Sequence, residues 1–115
     1  MIEIDLSSHL STNVAQVAGR VYPLIRPQDS AVPSIVYTIV NDQDRQSISI
    51  GRYGFEMRVQ IDVYAKSYAS AKEIRDAVQS AMYTFGHYPN GFSARDLYES
   101  ETKLFRQLIE FYVKG

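Results

Sequence analysis

The chain has 115 residues, a hydrophobic share of 45%, a charged share of 22% and a formal net charge of -1. This length accommodates one domain with one core and is short for two, and the near-neutral balance gives no electrostatic reason to expect nucleic acid or an anionic membrane as partner. The absence of cysteine excludes disulfide staples, thiolate chemistry and Cys-ligated zinc together. There is no run of about 18 apolar residues to span a bilayer, and Met1 to Leu6 is acidic where a secretion signal is basic, so folding in the cytosol is expected. Nine tyrosines and no tryptophan leave two alternatives open: the tyrosines line a sheet, or some serve an interface, with Tyr64, Tyr98 and Tyr112 able to point away from the core.

Leu6, Leu10, Val14, Val17 and Val21 follow at steps of four, four, three and four, which predicts a first helix with one apolar face. Asp5, Ser7 or Ser8 could cap its start, and Gly19 stands where a glycine would end it. Arg20 to Tyr22 then reads as a short extended piece leading to Pro23. With prolines at 23, 27 and 33, the segment from Leu24 to Pro33 is a surface connection without regular structure.

Ser34 to Val40 is β-branched and aromatic throughout and predicts the first long strand. The polar stretch after it is too long for a tight turn, so a protruding, mobile hairpin tip is expected from Asn41 to about Gly51, either functional or disordered.

The segment from Tyr53 to Met82 changes hydrophobic period in mid-course. Tyr53, Phe55, Met57, Val59, Ile61, Val63 and Ala65 alternate with Gly54, Glu56, Arg58, Gln60, Asp62 and Tyr64, as in a strand with one buried face. Ala71, Ile74, Val78, Ala81, Met82 and Phe85 then recur at spacings of three and four and predict a helix folding back onto that face. Ser67 and Ser70 are candidate caps, the latter through a Ser70/Glu73 capping box. The glycines, proline and asparagine between Phe85 and Gly91 stop the helix. Two closing strands follow, about Phe92 to Glu101 and Leu104 to Val113, the last with Phe105, Ile109, Phe111 and Val113 on one parity. The expected architecture is α+β: a single domain of residues 1–115, with a mainly antiparallel sheet of four to five strands and two helices on one face. The other face would carry Glu56, Arg58, Gln60 and Asp62, with Arg106 and Glu110 beside them.

No motif for catalysis stands out. The serines sit in caps and in the loop around Ser47 and Ser49, with no histidine nearby in sequence and no Gly-x-Ser-x-Gly. His9 and His87 lack the spacing of zinc ligands. Asp42 and Asp44 beside Asn41 have the composition of a calcium loop without its glycine and distal Glu, and read as solvated acids. Glu56 with Asp62, and Asp96 with Glu99 and Glu101, read as surface charge rather than acid/base pairs, since no apolar pocket is implied around them. No phosphate-binding glycine pattern occurs, and Tyr53 and Arg58 lie on opposite parities and make no single-strand platform. No catalytic residue, cofactor or metal is expected.

Several phrases, in order, carry a resemblance: Arg20-Val21-Tyr22-Pro23 after the first helix, Pro33-Ser34-Ile35-Val36-Tyr37 opening a strand, and Arg58-Val59-Gln60-Ile61-Asp62-Val63-Tyr64-Ala65 leading through Ser67-Tyr68 into Ala71-Lys72-Glu73-Ile74. A last strand contains Arg106 and ends Glu110-Phe111-Tyr112-Val113. Together they resemble the tail-completion, or tail-terminator, proteins of long-tailed bacteriophages and prophages. The resemblance implies a non-enzymatic virion subunit that assembles as a ring, typically a hexamer, on the end of the tail tube. There it halts tube polymerisation and presents a head-docking surface. Implied partners are copies of itself, the tube protein and head-tail connector or neck proteins, with no sequence-specific nucleic acid and no membrane. Its implied location is the host cytoplasm during assembly and the virion tail thereafter.

On that reading the candidate interface residues are Asn41, Asp42, Gln43, Asp44, Arg45 and Arg52 around the loop, and Glu56, Arg58, Asp62, Arg106 and Glu110 on the sheet face. The loop would project toward the lumen or an axial partner, and the charges would help set lateral register. The alternatives are a neck protein, or, from another class, a small α+β enzyme or ligand-binding regulatory domain with a buried polar pocket.

Overall fold

A computed structural model describes residues 2–27, 30–41, 56–86 and 89–114. The elements are α1 (Ile2–Asn13), a 3-10 turn (Ala15–Val17), β1 (Val21–Pro23), β2 (Ser34–Asn41), β3 (Glu56–Ala65), α2 (Tyr68–Met82), β4 (Asn90–Glu99) and β5 (Leu104–Lys114). The strands form one sheet in the order β1-β2-β3-β5-β4. Only β1 runs parallel to its neighbour; the other pairings are antiparallel. This is the α+β architecture expected from the alternating and helical periods.

β3, the most regularly alternating segment of the sequence, is the central strand. Its odd-numbered residues meet mainly apolar partners on both sides: Val59 faces Ile39 and Phe111, Ile61 faces Tyr37 and Ile109, and Val63 faces Ile35 and Gln107. Helix α2 closes this row with Ile74, Val78, Ala81 and Met82, and α1 adds Leu6 and Leu10 to the same cluster. Both helices therefore cover one face, because the strand's period of two and the helix's period of 3.6 each line up one apolar side.

The first helix is shorter than its apolar stripe. It ends at Asn13, and Val14 and Val17 stay fully buried through a 3-10 turn whose three residues per turn match the three-residue step between them. Ala18 and Gly19, at φ 49° and 80°, then break the helical path and turn Val21 into β1. The apolar spacing thus predicts burial correctly, while its helical reading fails beyond Asn13. Asp5, Ser7 and Ser8 are not caps, since α1 already begins at Ile2. For α2 the cap is Ser67, in extended conformation, whose Oγ accepts from the Ser70 amide at 3.1 Å; Ser70 itself lies inside the helix. Phe85 lies beyond the helix end at Met82 yet remains buried.

Of the expected hairpin tip, Asn41 is the last residue of β2, and the rest, from Asp42 to Gly51, lies outside the described residues, as do Tyr53 and His87. β4 starts with a bulge between Asn90 and Ser93. Gly91 has φ +69°, and a Cβ there would stand 3.2 Å from the Tyr112 ring, so both backbone and space favour glycine.

Candidate functional site

The sheet face away from the helices carries the polar parity of β3 and β5. Asp62 is only 4% exposed, and such a carboxylate requires a partner. Arg106 supplies it, its Nε donating to Oδ1 at 2.8 Å, while Gln60 Nε2 donates to Oδ2 at 3.2 Å. The two charged residues are diagonal rather than directly opposed, because Asp62 pairs in register with Leu108 and Arg106 with Tyr64. Arg58 and Glu110 form the next diagonal, a looser contact of 3.9 Å between partly exposed side chains. Burial alone would lower the Arg106 pKa, but its hydrogen bond to Asp62 and the attached charge outweigh this and hold it above its ordinary value.

Tyr64 lies among guanidinium groups, 5.7 Å from Arg106 and 5.5 Å from Arg26 to its ring centre. Burial pushes its phenol up, more than Arg106 pulls it down. Arg26 also donates from Nη1 to the carbonyl and hydroxyl oxygens of Ser30, both at 3.0 Å. These contacts tie the proline-rich connection to the sheet. Glu99 completes the network at its edge, 4.0 Å from Arg106 Nη1 and accepting from Thr102 Oγ1 at 3.0 Å.

Of the residues singled out from the sequence, Asp62 and Arg106 are thus joined, and Arg58 and Glu110 adjoin them on the same face. Asn41 closes β2 and Glu56 opens β3, opposite Lys114. Asp42, Gln43, Asp44, Arg45 and Arg52 lie outside the described residues. Gln60 and Tyr64 join through their parity alone, which the sequence displays. Arg26 gives no such signal, since nothing in a proline-rich connection indicates which strand it crosses. Tyr64 and Tyr112 lie on this face as expected. Tyr98 does not: it opposes Phe105, with ring centres 5.0 Å apart, on the helix side.

On the helix side Asp96 accepts from the Tyr68 hydroxyl at 2.9 Å and lies 3.1 Å from Lys72 Nζ. Its pKa is lowered to about 2, first by the Gln107 amide opposite it in the register and then by Tyr68 and Lys72. Gln107 is buried opposite Asp96, and its amide atoms meet no partner at full hydrogen-bond geometry. The Lys72 pKa is raised by its hydrogen bonds to Asp96 and Tyr68. Asp96 and Glu99 therefore project to opposite faces and cannot share a proton. A depressed carboxylate contributes stability that is complete above its unfolded pKa of about 4 and is lost as pH falls toward 2. Asp96→Asn should flatten the fall in urea midpoint between pH 4 and 2; an unchanged slope would show that the three contacts do not persist in solution.

A surface hollow of about 450 Å³ beside α1 is lined by Asp5, Ser8, His9, Thr12, Asn13, Phe85 and Gly86. It contains titratable groups, but His9 Nε2 lies 2.6 Å from the Ala81 carbonyl and must donate to it. The same nitrogen, 3.2 Å from Thr84 Oγ1, is then no base for that hydroxyl. His9 fastens α1 to the end of α2. Among the described residues no group of three or more His, Cys, Asp or Glu could hold a metal ion, and no helix is long and apolar enough to cross a membrane. Leu24 and Ile25 form an exposed apolar pair, at 69% and 76%. Leu24 has φ 67°, and Ile25 N donates to Pro23 O at 2.7 Å, a three-residue turn that swings both side chains outward.

The charge pairs of this sheet face are satisfied within the subunit, an apolar knob stands exposed at the β1 edge, and His9 in the hollow is committed to a structural bond. The chain belongs to the family of tail completion protein gp17, whose model matches residues 5–113. Membership gives it a structural role in the phage tail, with partners among other tail or neck proteins. No curated protein matches the chain.

Proposed function

We propose that the chain caps the end of the tail tube as a homo-oligomeric ring, typically a hexamer, stops tube polymerisation and presents the surface on which the head docks. The observation that carries this reading is the family match from Asp5 to Val113, which takes in all five strands of the sheet almost to the end of β5. Assembly would take place in the host cytoplasm, without enzymatic activity, and the ring would remain in the virion tail. A ring requires two different complementary surfaces per subunit. The charged face around Arg58 and Glu110, the loop from Asn41 to Arg52 and the Leu24/Ile25 knob are the proposed contacts to neighbouring copies, tube and neck.

A knockout lysate examined by electron microscopy tests the role. Overlong or ragged tails, corrected by supplying the protein in trans, are the expected result. Tails of normal length beside unsealed heads would replace this reading with that of a neck protein.

A further inference from the structure

β4 is the edge strand of the described sheet: it has β5 on one side and, among the described residues, no neighbour on the other. Most of its residues are exposed on both faces. Such an edge offers a row of backbone donors and acceptors to another strand. Edges are commonly blunted by charged side chains, proline or a bulge; here the bulge is confined to the Asn90–Ser93 start and Ser93 to Glu99 holds no proline, so the charges of Arg95, Asp96 and Glu99 decide which strand this edge accepts.

The charges of this run are self-complementary. In Arg95-Asp96-Leu97-Tyr98-Glu99, an antiparallel pairing centred on Leu97 sets Arg95 of each copy opposite Glu99 of the other, on the face away from the helices. Asp96 then meets Tyr98 on the helix face, and Leu97 meets its own copy on the two-fold axis. Among the described residues Arg95 has no carboxylate partner, while Glu99 holds Arg106 only at 4.0 Å. Tyr98 is 54% exposed and available to cover its opposite strand. Opposite charges facing each other across strands stabilise pairing, and like charges there oppose it.

We propose that, away from the tail, two copies of this chain join through β4 into a two-fold dimer with a continuous sheet. The occupant of the edge is a second copy, because the charge order of the strand matches its own reverse. The contact is isologous, so it is distinct from the head-to-tail contacts of a ring and does not rest on that reading. It would keep the edge covered until assembly.

Sedimentation of the full chain over a range of concentrations tests this. The wild type should dimerise, Arg95→Glu should raise the dimer Kd by roughly tenfold or more by placing two like-charge pairs across the axis, and the double reversal Arg95→Glu/Glu99→Arg should restore dimerisation. Because the chain has no native cysteine, Leu97→Cys should give a covalent dimer on oxidation. A wild type that stays monomeric at all concentrations, a dimer indifferent to Arg95→Glu, or a double reversal that fails to recover it would overturn the proposal. The tail-capping reading, tested by micrographs, would stand or fall separately.

Discussion

Replacing Phe111 by alanine is expected to cost about 4 kcal/mol and to lower the melting temperature by roughly 15 °C. Phe111 is fully buried in β5, opposite Val59 of the central strand, and its ring stacks on Phe92 of β4 at 4.9 Å. Truncation therefore removes more than its own transfer energy. It leaves a cavity on the helix-covered side of the sheet, and Phe92, already only half-buried, loses the surface that holds it. A domain of this size has about 5–15 kcal/mol of stability in all, so the variant should be close to the threshold of folding at 37 °C. Urea unfolding with an unchanged m value and a strongly lowered midpoint would confirm this cost. A loss below about 1 kcal/mol would mean that the core collapses around the site.

The position of Phe111 is legible without the fold, through its parity with Ile109 and Val113. So are the central strand and α2, because period-two and period-3.6 patterns are imposed by which side of each element meets the core. The first helix shows where that inference stops. Val14 and Val17 are buried as the stripe requires, but a step of three fits a 3-10 turn as well as a helix, and only backbone conformation at Ala18 and Gly19 decides between them. Pairing is legible in part. The polar parity of β3 and β5 places Asp62, Arg58, Arg106 and Glu110 on one face, whereas which charge meets which depends on a strand register that composition does not contain. Tyr98 falls on the unexpected side for a related reason: parity in an edge strand with little burial has no apolar pattern to anchor it. Gln107 leaves no signal at all, being a polar residue in the apolar parity of β5, placed between Val63 and Asp96.

The second large effect concerns Arg106. Arg106→Met should cost about 3 kcal/mol, because it strands a carboxylate that is 4% exposed with Gln60 as its remaining side-chain donor. The lower end of the range for broken buried pairs applies, since the Arg106 side chain is 25% exposed and water can reach part of the gap. Replacing both partners, as Asp62→Leu/Arg106→Met, should recover much of the loss, as the desolvation cost of the pair disappears with it. The same comparison separates folding from assembly on this face. Arg58 and Glu110 meet at 3.9 Å with 45% and 33% of their side chains exposed, so Arg58→Ala or Glu110→Ala should change stability by less than about 0.5 kcal/mol. If lateral register in the ring is set here, those mild variants should nevertheless give defective tails in complementation, while the stability-restored Asp62→Leu/Arg106→Met double variant tests whether the buried pair has any role beyond holding the sheet. Normal tails both from Arg58→Ala with Glu110→Ala and from the Asp62→Leu/Arg106→Met variant would confine both charge pairs to the fold and move the search for subunit contacts to the Leu24/Ile25 knob and the loop between β2 and β3.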